Sequence, residues 1–311
     1  MQVGESGAVD PPTAEGAGGG MATSRTAKKY ILGKEIAYMM RSAGKVQADV
    51  ARILGTSQSK IAGVLDGKNA MSLGDLERLA NHLGFTDPDY HATLFDLRHE
   101  NHKRGFWSTG YRRAYSEELR MRVDVESHAD RIREFEVEVI PGLLQHRSYV
   151  DALYEGIPEV NGLSRDEQIQ ARVARQDIFE GADPPMVHFV LSESCLRRMW
   201  CSPAVMDVQI DYLIQFSQRE HVMLQIMPFS VPVGRRVSFN NTFTLLRMPW
   251  SGMAGPLEMA YVENEGEFRF HDDEKALNNY DSAWARLTSA ALSFEDSRTF
   301  LRQVAKEFRD Q

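Results

Sequence analysis

Cysteine is nearly absent from the 311-residue chain, which carries only Cys195 and Cys201. Two thiols make no disulfide framework, and this pair lacks the further Cys/His spacing of a zinc site, so both are expected to be reduced and buried. No uncharged apolar run approaches the roughly 18 residues needed to cross a bilayer, and the first 20 residues have no basic segment followed by an apolar one. A cytoplasmic protein without membrane attachment is therefore expected. Catalytic signatures are missing as well: there is no Gly-rich phosphate loop, no G-x-S-x-G elbow and no H-E-x-x-H. His99 and His102 stand three apart without further ligands nearby, and nothing local marks Ser194-Cys195 as an activated nucleophile. Neither an enzyme nor a cofactor or metal is expected.

What the chain does have is enough apolar sequence, 42%, to bury real cores over a length that fits two domains. Its net charge of −8 hides an asymmetry. Residues 1–20 carry −3, residues 21–70 carry +6, and residues 71–311 carry −11. A basic module joined to an acidic body points to one part that meets a polyanion and one that does not.

Residues 1–25 are rich in Gly, Pro, Ala and acids and read as a disordered tail. From 26 to 104 the apolar spacing is helical, giving an all-α domain of five short helices. The stripes are Leu32, Ile36 and Met39/Met40; Val50, Ile53 and Leu54; Ile61, Val64 and Leu65; and Leu73, Leu76, Leu79 and Leu83. Ser72 and Asp75 have capping-box spacing before the fourth helix, and Thr86-Asp87-Pro88 opens a fifth that reaches about His102. Gly44, Gly55, Gly67 and Gly84 fall at the breaks.

The second and third helices are the informative pair. A helix ending at Gly55 is followed, three residues on, by one that Ser57 caps, which is helix-turn-helix spacing. Ala51 supplies a small side chain for a close crossing. Ile61 and Val64 face inward, which leaves Gln58, Ser59 and Lys60 outward at the N-terminal end of the third helix. Through QADVARILGTSQSKIAGVLDG and the flanking helices, residues 30–84 resemble the Cro/repressor-type, or XRE, helix-turn-helix regulators. The resemblance implies that Gln47 clamps a phosphate of double-stranded DNA, that Ser57, Gln58, Ser59 and Lys60 meet the groove, and that Lys68 adds a basic contact. Ala62, Gly63 and Leu65 depart from the residues frequent in that family, and Gly63 weakens a recognition helix by about 1 kcal/mol relative to Ala.

Beyond Arg104 the pattern becomes mixed, and an α+β domain is expected over 105–311 with a small sheet. A helix is expected from about Ser116 to Arg133, an extended run at Glu136–Ile140, and helices to Tyr154 and from Ser164 to about Phe179. Strand-like runs follow at Met186–Leu191, Val222–Pro228, Asn241–Met248 and Leu257–Phe270. A helix opened by Ser202-Pro203 and two at Asp273–Leu292 and Ser293–Arg309 complete the pattern. Trp107, in the joint between the two parts, is expected to dock one domain on the other.

From IPGLLQ at 140–145, ARVARQ at 171–176, LSESCLRR at 191–198, IMPF at 226–229 and ALSFEDSRTFL at 291–301, this part resembles the C-terminal domain of unassigned function that follows an XRE module in actinobacterial regulators, a group with WhiJ-like and antitoxin-like members. Glu126, Arg172, Arg175, Gln176 and Glu193 are polar groups on elements that pack inward. They either line a cleft for a small-molecule effector or a partner peptide, or form structural ion pairs. The reading is a DNA-binding transcriptional regulator whose C-terminal domain pairs two copies as a homodimer or binds an effector. The alternative is an antitoxin-like adaptor whose acidic body sequesters a small basic protein encoded nearby.

Overall fold

The computed structural model describes residues 25–100, 111–157, 161–230, 241–264 and 267–310. The expected tail, apart from Arg25, and the joint at Trp107 lie outside the described residues. The N-terminal region is five helices: α1 (Ala27–Ser42), α2 (Gln47–Leu54), α3 (Gln58–Leu65), α4 (Leu73–His82) and α5 (Pro88–Glu100). At four of the five helix starts a side chain satisfies an N–H group left without an intrahelical partner. Thr26, Ser57 and Ser72 accept from the N–H of Lys29, Lys60 and Asp75, and Asp87 accepts from Asp89 and Tyr90. Only half of the expected box at Ser72 forms, because the Asp75 carboxylate turns to Arg78 at 2.9 Å. Ile31, Ile36, Met39, Ile61, Leu76 and Leu94 fill the shared core.

The C-terminal region interleaves helices with one mixed sheet. In chain order it comprises α6 (Glu117–Glu126), β1 (Arg131–Glu136), α7 (Arg147–Leu153), α8 (Arg165–Val173), β2 (Met186–Ser192), α9 (Glu193–Arg197), α10 (Pro203–Phe216) and β3 (Val222–Met227). There follow β4 (Phe243–Met248), β5 (Leu257–Asn264), β6 (Glu267–His271), α11 (Glu274–Ala290) and α12 (Phe294–Arg309). The six strands lie in the order β3-β2-β1-β4-β5-β6. β1, β2 and β3 run parallel and are joined through helices, whereas β4, β5 and β6 form an antiparallel meander beside β1. One face, with Ile132, Phe189, Leu224, Leu246 and Met259, joins the larger core. The other, with Phe135, Val190, Leu245 and Ala260, packs on Trp284 and Leu287 of α11.

Four expectations need correction. The helix read as 116–133 stops at Glu126, where the Ser127 hydroxyl and the His128 ring both engage the Asp124 carbonyl. The strand is then 131–136 rather than 136–140, and residues 137–140 bend into Pro141 instead of pairing. The single run at 257–270 is two strands of a hairpin, and the helix read to Phe179 gives way at Ala174 to a 3-10 turn.

α1 belongs to both regions. Asp124 of α6 accepts the Ala27 N–H at the start of α1 at 2.6 Å, the end of a helix where a carboxylate is favourable. Burial pushes the Asp124 carboxyl up, and this backbone bond opposes the shift. Glu35, fully buried, accepts from Tyr90 Oη at 2.5 Å within its own region and from Trp250 Nε1 at 2.6 Å and Ala254 N–H at 2.9 Å across the joint. Tyr30 Oη donates to Asp272 at 2.6 Å, and Lys34 forms an ion pair with the same carboxylate. Gly252 is required there, because a Cβ on it would meet Glu35 Oε1 at 2.2 Å.

Candidate nucleic-acid interface

α2 and α3 are short, so their geometry depends on what fixes their ends. The Asp49 carboxylate accepts the Val46 N–H at 3.1 Å and holds Arg52 at 3.2 Å. The backbone bond is the main cause of its lowered pKa. At the other end Gly55 takes φ 63° and ψ 38°, a left-handed conformation that costs glycine nothing. Arg78 of α4 reaches across to the Leu54 carbonyl at 3.0 Å, using a group the helix end leaves free.

Val50, Ala51, Ile61 and Val64 lock the inward faces. Gln58, Ser59 and Lys60 are exposed on the first turn of α3, beside the positive end of its dipole. Ser57 is exposed too, but its hydroxyl is engaged as the cap. Gln47 is half-buried at the first position of α2, and exposed Lys68 pairs with Asp66 at 3.1 Å. The turn thus brings Gln58, Ser59 and Lys60 into one exposed group.

Two residues outside the expected set shape this surface. α1 crosses α3 at Gly33, where a Cβ would sit 2.4 Å from the Leu65 carbonyl oxygen. The two backbones approach closely here, and Ala51 is buried as expected. Gly63, the departure within α3, has a packing reason: a Cβ would strike Asn69 Nδ2 at 2.2 Å, and its carbonyl accepts the N–H of Lys68 and Asn69.

The second expected group divides. Glu126 and Arg175, both almost fully buried, form a two-pronged pair at 2.9 and 2.8 Å. Burial works against the Arg175 charge, and the charge and hydrogen bonds of Glu126 outweigh it, so its pKa is raised. Arg122 bridges to Glu134 at 2.5 Å beside them. Arg172 donates to Gln145 Oε1 at 3.2 Å, and burial, then Arg175, lowers its pKa. Gln176 bonds the Gln145 carbonyl at 2.7 Å and accepts from Tyr212 Oη. These side chains clasp residues 140–145, and Gly142 leaves room for them, since a Cβ would meet Arg175 Nη1 at 2.6 Å. Glu193 stands apart, with Arg197 at 2.5 Å and the Phe229 N–H at 2.8 Å. Removing one member of the buried Glu126–Arg175 pair costs about 3–5 kcal/mol, whereas half-buried Arg172 and Gln176 make hydrogen bonds to Gln145.

Residues 119–303, more than half of the chain, match the family described as Domain of unknown function (DUF5753). The chain belongs to the DUF5753 family. A second family, described as Helix-turn-helix domain, matches residues 31–94. No curated protein and no solved structure matches the chain. The DUF5753 region contains the whole sheet and the clasp around residues 140–145, while the helix-turn-helix match takes in α2, α3 and Glu35. Arg78 and Glu35 are the positioning residues that sequence reasoning missed. Glu35 had a visible signal, since it lies four residues after Ile31 and beside Ile36 on an inward face, where a carboxylate requires donors.

Proposed function

We propose that this DUF5753 chain is a sequence-specific, DNA-binding transcriptional regulator of the Cro/repressor type, acting as a pair of identical copies. One observation carries the reading: Gln58, Ser59 and Lys60 are the exposed first turn of a capped helix whose opposite face is locked, within a segment of charge +6. An outward Gln there matches the two-pronged recognition of adenine, and a Lys supplies phosphate or guanine contact. Half-buried Gln47 and exposed Lys45 and Arg52, on and just before α2, would supply contacts to the DNA backbone. The C-terminal region holds α1, and with it the reading helix, in a fixed orientation through Glu35, Asp124 and Asp272.

Fluorescence anisotropy on specific and scrambled duplexes tests the roles. Lys60→Ala weakens binding to both, whereas Gln58→Ala costs about 1–3 kcal/mol on the specific site alone. Equal losses on every sequence for both variants contradict the assignment. The charge of −11 over residues 71–311 motivates the competing adaptor reading, in which the acidic body holds a small basic protein. Co-purification of such a partner with no shift of any duplex would favour the adaptor.

A further inference from the structure

The two edges of the sheet are finished differently. At β3, the Ile226 N–H donates to Ser297 Oγ at 3.0 Å and its carbonyl accepts from the Leu292 N–H at 2.9 Å, so the entry to α12 covers that edge at Ile226. Gln225 Nε2 adds bonds to the Thr288 and Leu292 carbonyls. Covering an edge in this way removes a template for another strand.

β6 has no such cover among the described residues. The bond from Met186 N–H to the Asp130 carbonyl sets the alternation of the ladder, and the registers continue unbroken to β6. Followed across, the alternation points the backbone groups of Glu267, Arg269 and His271 toward β5 and those of Phe268 and Phe270 outward. Neither outward pair has a partner among the described residues. The strand is held extended by its side chains, because Phe268 and Phe270 pack on the Tyr261 ring at centroid distances of 6.3 and 5.2 Å. Glu267 and Arg269 project from the opposite face, both exposed, and pair with each other at 2.9 Å.

We infer that β6 pairs antiparallel with β6 of a second copy, Phe268 opposite Phe268 and Glu267 opposite Arg269, to join two sheets across a two-fold axis. The charge pattern selects this register among those the outward backbone allows. With Phe268 opposite Phe268, each Glu267 faces the partner's Arg269 in a non-hydrogen-bonded pair, where side chains are closest. Moving to Phe268 opposite Phe270 sets Arg269 against Arg269, and like charges directly opposite are destabilising. The occupant is thus a copy of the same chain, because the strand is complementary to itself.

This inference rests on the regulator reading only for its purpose. Asp272, which anchors Tyr30 and Lys34 of α1, directly follows β6. In the inferred register the two Asp272 anchors are offset by eight strand positions, about 27 Å at the rise of a strand. One helix-turn-helix unit therefore sits toward each end of the joined sheet.

Light scattering on the full chain, with circular dichroism to confirm folding, tests the interface. The unmodified protein is expected to be a dimer at micromolar concentration. Glu267→Arg and Arg269→Glu should each weaken the dimer by about tenfold or more, since each sets like charges opposite. Mixing the two single variants should recover a dimer of one of each, and the double exchange Glu267→Arg/Arg269→Glu should recover it alone. A monomeric unmodified chain, single variants with the unmodified mass, or a mixture that stays monomeric would each overturn the inference. Anisotropy on the same samples separates the two proposals, because a dimer that ignores duplex DNA defeats the regulator reading and leaves the interface standing.

Discussion

A methyl group at residue 33 has nowhere to go, since it would lie 2.4 Å from one α3 carbonyl oxygen and 2.8 Å from another. Gly33→Ala must push α3 away from α1, at about 1–3 kcal/mol for such overpacking. Gly74→Ala, in open space on α4, should instead stabilise by about 0.5–1 kcal/mol. Thermal melts of the two variants check this, and equal melting temperatures would contradict it. Glu136 makes a second residue-scale prediction. Burial, with Glu134 beside it, pushes its carboxyl from 4.5 up to about 8, against the pull of Arg122. A carboxyl raised on folding binds its proton more tightly in the native state, so its contribution is full below pH 4.5 and is lost as pH rises through about 8. The melting temperature should therefore decline between pH 6 and pH 9, and Glu136→Gln should flatten that decline, gaining about 2–4 °C at pH 9 for each kcal/mol relieved. An unchanged slope in the variant would rule this out.

Among elements, α1 bears the joint. Glu35→Ala removes the acceptor for buried Tyr90 and half-buried Trp250 and Ala254 together, and a buried donor left unmatched costs about 1–3 kcal/mol. Calorimetry should then show two transitions in place of one, as the two regions melt separately. A single transition at the unmodified temperature would show that Glu35 does not couple them. The helices of the N-terminal region were legible because their stripes are local, with apolar positions three and four apart and a capping residue before several of the runs. β1 was not, because Glu134 occupies an inward position and its partner Arg122 lies on another element. The strand RIREFE consequently reads as polar, although Ile132, Glu134 and Phe135 are buried. The β5–β6 hairpin was hidden for a different reason: alternation continues through both strands. At the candidate interface, the exposure of Gln58, Ser59 and Lys60 was readable from spacing alone. The bond of Arg78 was not, and Glu35 showed only as an inward carboxylate without its donors, since the groups they bind across elements lie 24 to 219 residues away.

For the whole molecule, charge and architecture point the same way. A segment of +6 carries the exposed turn of α3, and an acidic body of −11 holds it through α1. Contacts to phosphates release counterions, so affinity should fall at least about tenfold between 50 and 200 mM salt. The most direct test is a genome-wide map of DNA bound by the full chain, followed by anisotropy on the recovered fragments with the unmodified protein and Gln58→Ala. The account predicts a shared sequence with two related half-sites, bound tightly at low salt and discriminated less well by the variant. A folded protein that binds neither the recovered fragments nor bulk duplex at low ionic strength would contradict it.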